Sequence, residues 1–282
     1  MKLFFITNSI GLASFALEQG VDRIFVDLEI NGKVLRQGHL DTLISRHEMA
    51  DVALLRSVTP PGALLVRLNP LHAGSAAEVD QAVAAGADIL MLPMFRTPAE
   101  VDAFARLVAG RARVSLLVET VDAMRSLREC VAVPGVDEVH IGLNDLHLEL
   151  KQAFMFEPLA DGLVDAMAAI LREAGLPFGI GGIARAGEGL LPAELLLSEH
   201  VRLGSSAAIL SRTFHRQAAN VEEIRAHMEF DLELARLRAA YAAHLRASPA
   251  ALEQQRQLVK ARIGQIAASL RARAAAERPS YA

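Results

Sequence analysis

Short apolar runs alternate with helix-period segments along most of this chain, and nearly every run stops at a polar residue, a proline or a glycine. Such alternation is the mark of βα units and of a parallel sheet covered on both faces. The runs predict strands at Leu3–Ile6, Ile24–Asp27, Leu64–Leu68, Ile89–Leu92, Val114–Val118, Glu138–Ile141, Phe178–Ile180 and Val201–Leu203. The segments between them predict helices at Gly11–Glu18, Asp41–Arg56, Ala76–Ala85, Pro98–Val108, Asp122–Ala132, Leu159–Ala174, Leu191–Ser198 and Ser206–Phe214. Eight such units fit an α/β fold of the (β/α)8 TIM-barrel kind, whose usual size is ~250 residues. An open doubly wound sheet rarely runs to eight regular units, and no GxGxxG follows the first run.

The pattern changes after Phe214. Asn220–Arg246 reads as one helical segment with Asn220 as N-cap and Glu223 in the capping-box position. Ser248-Pro249 breaks it and opens a second helix, with serine as cap and proline in the first turn. Leu252, Val259, Ile263, Ile266 and Leu270 form one apolar stripe on that second helix. The expected division is therefore a catalytic barrel over 1–215 and a C-terminal helical hairpin over 216–282. The hairpin packs either on its own barrel or on another subunit.

Bulk properties narrow the partners. The 282 residues carry a formal net charge of −4, which gives no strong attraction to nucleic acid or anionic membrane. The opening MKLFFITNSIGLASFAL is interrupted by Thr7, Asn8 and Ser9 and reads as a buried strand followed by a helix. No apolar stretch reaches the ~18–20 residues that span a bilayer. A single cysteine, Cys130, excludes an intrachain disulfide. A cytoplasmic location is expected from these features.

A barrel places its chemistry just after the strands, on the C-terminal face. Glu119 ends one apolar run and Asp145 follows the next. Two carboxylates at one rim would hold a hard divalent cation, Mg²⁺ or Mn²⁺, unless both are ordinary loop acids. Arg67 closes the run LLVR; it would meet a substrate carboxylate or enolate oxygen, or else form an ion pair with Asp27 or Glu29. Asp27 and Glu29, two apart on an extended segment, share a side. The following polar loop carries Arg36 and His39, and His39 would serve as a general acid or base if it is not simply solvated. Asn144 lies beside Asp145. Gly181-Gly182 and Gly204-Ser205-Ser206 offer an anion seat, or else make tight turns.

Five pieces, GVDRIFVDLE (20–29), VRLNP (66–70), AGADILMLPMFRTPAEV (85–101), VETVDAM (118–124) and VPGVDEVHIGLNDL (133–146), occur in an order and spacing that resembles the HpcH/HpaI aldolase and citrate lyase β-subunit superfamily. The resemblance covers about residues 1–214. It implies that Glu119 and Asp145 hold a divalent metal chelating a pyruvate-like 2-oxo acid, and that Arg67 stabilises the enolate. It also implies a homo-oligomer, a trimer or hexamer, with the C-terminal helices in the contact.

The chain departs from the family pattern at Ile30, where aldolases carry a histidine and the citrate lyase branch an acid. VRLNP favours the citrate lyase branch, whereas Met94, in place of a lysine after Leu-Pro, favours the aldolases. The leading expectation is a metal-dependent carbon–carbon lyase that cleaves or forms a 2-oxo acid through a pyruvate enolate. The alternatives are a citryl- or malyl-CoA-type ester lyase and a non-catalytic keto-acid-binding assembly protein.

Overall fold

The computed structural model describes residues 1–30, 47–216 and 218–276. Among these, eight strands close into one parallel barrel in sequence order: β1 (Lys2–Ile6), β2 (Arg23–Asp27), β3 (Leu64–Arg67), β4 (Ile89–Leu92), β5 (Arg113–Val118), β6 (Val136–Ile141), β7 (Phe178–Ile183) and β8 (Ala207–Leu210). β8 returns to β1 in parallel, pairing Ala207 with Lys2 and Ile209 with Phe4, and this closes the ring. The expected barrel class is thus the observed one.

Helices cover the outside: α1 (Ile10–Glu18), α2 (Met49–Arg56), α3 (Ser75–Ala84), α4 (Pro98–Val108), α5 (Val121–Arg125), α6 (Leu127–Val131), α7 (Leu143–Glu149), α8 (Glu157–Ala160), α9 (Leu163–Glu173) and α10 (Ala193–Leu203). α4 shows why the boundaries were readable. Thr97 accepts a hydrogen bond from the Glu100 N–H, Glu100 answers the Thr97 N–H, and Pro98 occupies the first turn. The helix ends at Ala109 in a left-handed conformation. Two expected helices are broken. Asp122–Ala132 divides at Ser126 into α5 and α6, and Leu159–Ala174 divides around Gly162, whose φ of +89° no helix continues.

Strand residues alternate between two cores. Those facing outward, such as Leu3, Val26, Val66 and Leu116, pack with the helices in one continuous apolar layer. Those facing inward fill the barrel with Phe4, Phe25, Leu65, Ile89, Met91 and Leu117. The inward row of β2 therefore runs Arg23, Phe25, Asp27. It places a charge at each end of the barrel and an aromatic ring between them.

The last βα unit corrects the sequence reading. Val201–Leu203 is the final turn of α10, and Gly204, at φ +85°, is its cap. The strand is Ala207–Leu210, and the segment 211–216 after it is a series of turns, not a helix. VRL and AAIL each carry one β-branched residue, so strand propensity did not separate them.

Beyond the barrel lie α11 (Val221–His227), α12 (Phe230–Leu245) and α13 (Pro249–Ala276). Asn220 caps α11 by accepting from the Glu223 N–H at 2.9 Å. The single helix expected over 220–246 is broken at Met228, which is extended. α12 and α13 pack along α10, and α13 also reaches α8. Val259, Ile263 and Ile266 of the apolar stripe are buried there, so that stripe is covered by its own chain. Arg238 on α12 reaches back to the Gly20 carbonyl and the Asp22 carboxylate.

Candidate active site

The C-terminal ends of β2 and β3 act as one unit. Arg67 donates from Nε and Nη2 to the two oxygens of Asp27, both at 2.8 Å, and its Nη1 lies 3.4 Å from Glu29 Oε2. The Leu28 N–H donates to the Arg67 carbonyl at 2.9 Å, and the Ile30 N–H to Asn69 Oδ1 at 3.0 Å. Asn69 is itself held by Glu78 on α3 at 2.7 Å. The pieces DLE and VRLN thus interlock through side chains and backbone together. Asp27 and Glu29 are buried, and burial of Arg67 works to lower its pKa, but their charges hold it above its ordinary value.

Both contacts foreseen for Arg67 as an ion-pair partner are therefore made. They do not use the whole guanidinium. Three of its five N–H groups are accounted for, and the charge still acts on Glu119 across the mouth.

Glu119 follows β5 immediately, held there by Thr120, which caps α5 by accepting from the Ala123 N–H and donates to the Phe95 carbonyl at 2.7 Å. Its Oε1 accepts the Met94 N–H at 3.1 Å. Met94 takes φ +54°, which sterically strains a residue with a side chain, and this conformation turns its N–H toward the carboxylate. Gly142, between β6 and α7, completes the seat. A Cβ there would stand 2.9 Å from Glu119 Cβ and 3.0 Å from its Oε2. Asp145 sits in the first turn of α7, half-buried, with Asn144 beside it.

Glu119 is 3 % exposed. Burial, and next the charge of Asp145, push its carboxyl well above the usual range, with Arg67 partly opposing. Asp27, Glu29, Glu119 and Asp145 thus gather with Arg67 at the mouth. Carboxylates grouped in this way are the donor chemistry a divalent cation requires. Among the described residues no group of three or more His, Cys, Asp or Glu side chains is arranged to hold a metal. Glu119 and Asp145 alone would supply two ligands, leaving the remaining positions to substrate oxygens and water, as hard cations accept.

The other expected site residues divide. Arg36 and His39 lie outside the described residues. His47, just before α2, accepts the Asp27 N–H at its Nδ1 at 3.0 Å. Gly181 and Gly182 do not follow β7 but lie inside it, at a register shift, and the Gly181 carbonyl is engaged by His140 at 3.0 Å. Gly204 and Ser205 precede β8, at the opposite end of the barrel from Glu119. Ser205 is buried, with its Oγ 2.9 Å from His200 Nδ1. The anion seat expected from these four residues is therefore not assembled, because the two pieces stand at different heights and ends of the barrel.

Sequence reasoning missed three contributors. The Met94 backbone and the Gly142 gap carry no side-chain signal. Arg212, just past β8, is half-buried and acts electrostatically on Asp27 and Arg67. The misplaced eighth strand hid it inside an expected helix.

Comparison with known proteins agrees with this geometry. Residues 1–180 match the profile of the HpcH/HpaI aldolase/citrate lyase family. No match was found among curated protein sequences. Among solved structures, an HpcH/HpaI aldolase from Desulfitobacterium hafniense is similar over 81 % of this chain and 93 % of its own, at 16 % identity and a TM-score of 0.61. An HpcH/HpaI aldolase/citrate lyase family protein from Burkholderia cenocepacia is similar over 79 % and 94 %, at 19 % identity and 0.59. RipC from Yersinia pestis is similar over 80 % and 94 %, at 16 % identity and 0.53. These identities speak for the shared fold, and the profile match over more than half the chain speaks for descent: the chain belongs to the HpcH/HpaI aldolase/citrate lyase family.

Proposed function

We propose that this protein is a divalent-cation-dependent carbon–carbon lyase that cleaves or forms a 2-oxo acid through the enolate of pyruvate. The observation that carries this reading is the crowding of Asp27, Glu29, Glu119 and Asp145 around Arg67 at the barrel mouth. Glu119 and Asp145 would hold the cation, Mg²⁺ or Mn²⁺. When bound, it supplies Lewis acidity that polarises the 2-oxo group.

The chain's own residues do the rest. Asp27 and Glu29 fix the plane of Arg67, and its remaining N–H groups would meet the enolate oxygen as it develops charge. The Met94 N–H keeps Glu119 oriented. Asn144 is suited to donate its amide to the substrate carboxylate. In the cleavage direction the C3–C4 bond of a 4-hydroxy-2-oxo acid breaks. Its electron pair enters the enolate, the 4-hydroxyl proton passes to water, and an aldehyde departs. C3 then takes a proton to give pyruvate. With Ile30 where aldolases carry a histidine, we assign that proton to His39, with Arg36 orienting the substrate. A homo-oligomer, trimeric or hexameric, belongs to the same reading and is checked by sedimentation.

The test is exchange of the C3 protons of pyruvate in deuterated water, with Mn²⁺ and with EDTA. Exchange should require the cation, and Arg67→Lys should slow it ~10²–10³-fold in a protein that stays folded. Exchange at an equal rate in EDTA would remove the cation from the mechanism. An Arg67→Lys variant that unfolds instead would make the arginine structural.

A further inference from the structure

β7 reads FGIGGI, and glycine inside a strand gives up packing and costs chain entropy. Two of these glycines answer to one side chain on the neighbouring strand. His140 on β6 pairs in register with Gly179. It points into the barrel, two residues on from Glu138 and beside the Phe4 ring, and is 2 % exposed. A Cβ on Gly179 would stand 2.4 Å from His140 Nδ1, so the glycine leaves the room that the imidazole fills. The other ring nitrogen, Nε2, lies 3.0 Å from the Gly181 carbonyl oxygen. A carbonyl only accepts, so Nε2 carries the proton and donates. Burial lowers the pKa of His140 to about 4, and the neutral ring keeps its one proton there.

That hydrogen bond holds an irregular point in the sheet. Gly179 pairs with Ala207 and Gly182 with Ile209, so β7 carries one residue more than β8 over this stretch. Gly181 lies in this bulge at φ +50° and is buried. A Cβ on it would lie 3.3 Å from Leu143 Cδ1. Leu143 is fully buried and is the first residue of α7. Asn144 and Asp145 follow it in the same turn, and Gly142, just before it, is the gap that seats Glu119. A run of contacts therefore leads from the imidazole, through the bulge, to the residue that stands between the seats of the two acids.

We propose that His140 is a positioning residue of the cation site. By holding the Gly181 carbonyl it fixes the bulge on which Leu143 rests, and so sets where Asp145 stands relative to Glu119. The inference deepens the proposed lyase reading and rests on its cation. His140 acts through Gly181 and Leu143 and has no part in the proton transfers. Without its donor, the buried Gly181 carbonyl would lose a hydrogen bond, and the bulge could shift and carry the start of α7 with it. Bulges beside active sites re-aim side chains in this way.

The experiment titrates the full-length, metal-free protein with Mn²⁺, follows the free ion by EPR, and records melting curves on the same samples. His140→Leu removes the donor and should weaken Mn²⁺ binding ~10–100-fold, the range for groups that orient the ligands of a metal. His140→Gln, whose amide can donate to the same carbonyl, should recover most of that loss. Leu143→Ala cuts the path one step later and should also weaken binding. The double variant should bind no more weakly than the worse single one, because the two residues act in series. A His140→Leu variant that melts earlier but binds Mn²⁺ as tightly as the wild type would overturn the proposal and leave His140 as core packing. Fully additive losses, or a His140→Gln variant as weak as His140→Leu, would overturn it too. If His140→Leu does not fold, Leu143→Ala decides, and wild-type affinity in that folded variant defeats the proposal. A wild type that takes up no Mn²⁺ defeats the lyase reading itself, whereas uptake that these substitutions leave unchanged defeats this inference alone.

Discussion

The two ends of the barrel solve the same problem differently. At the floor, Arg23 on β2 meets Glu138 on β6 in a two-pronged pair at 2.6 and 2.8 Å, with the guanidinium 4.8 Å from the Phe4 ring. At the mouth, Arg67 meets Asp27 in a similar fork, 5.6 Å from the Phe25 ring. The floor pair is balanced. Burial would raise the Glu138 carboxyl, but the Arg23 hydrogen bond and charge hold it below its usual range. At the mouth, burial and the charge of Asp145 push Glu119 up instead. A buried arginine fork is therefore no sign of function by itself. A neighbouring carboxyl, Glu119, pushed above its usual range by burial and by Asp145 is what distinguishes the mouth from the floor.

The largest test of this contrast is to remove one carboxylate of the mouth pair. Glu119→Gln or Asp145→Asn should cut cation-dependent pyruvate exchange by more than ~10³-fold, the scale of a lost Lewis-acid contribution. Thermal stability should hold or rise, because like-charge repulsion is relieved. A variant that loses stability and keeps exchange would reverse the assignment of the two ends.

The floor should behave in the opposite way. Glu138→Ala leaves Arg23 buried and uncompensated, which typically costs ~3–5 kcal/mol. Urea titration should show that loss, while the surviving folded fraction keeps its KM for pyruvate. A smaller effect is expected at Gly142. The methyl of Gly142→Ala must displace Glu119, and a misplacement of ~1 Å can cost up to ~10²-fold in rate. Single-turnover exchange with an unchanged melting temperature would locate that loss in the mouth.

The smallest effect concerns the layer between the ends. His140 lies on β6 above Glu138, and burial lowers its pKa from 6.5 to about 4. His200, buried against Ser205 with no hydrogen-bond partner for Nε2, is lowered to about 3. Both stay neutral in the folded protein at pH values where the unfolded chain takes up protons. Their contribution to stability is complete above about pH 6.5 and falls as the pH drops through 6.5 toward 4 and 3. Melting curves between pH 7 and 4 should show this decline, and His200→Asn should make it shallower.

Much of this architecture was legible because local chemistry repeats the global plan. Runs such as ILML and LLVR are too short for buried helices, and they stop at residues that belong on a rim. The interlocked DLE and VRLN pieces were readable as neighbours because β2 and β3 are consecutive in a parallel barrel. The floor pair was not readable, since Arg23 and Glu138 are 115 residues apart and only barrel closure brings them together. The part played by Gly142 was not readable, because the reason for it is the absence of an atom beside Glu119. The eighth unit was misread where the helix end and the strand each carry one β-branched residue, and the supposed Gly204-Ser205 seat came from that slip. The apolar stripe on α13 was visible, but the α10 surface that receives it was not.

Closure through β8 also has a consequence for synthesis on the ribosome. The backbone edge of β1 is paired only when Ala207–Leu210 arrives, some two hundred residues after β1 itself. At ~5–20 residues per second, the nascent sheet carries an open apolar edge for about 10–40 s. Arg238 then ties the last helices to Gly20 and Asp22 beside the first two strands. The newest part of the chain thus fastens the oldest, and until it emerges the emerging sheet is a natural client for chaperones that shield unpaired strands.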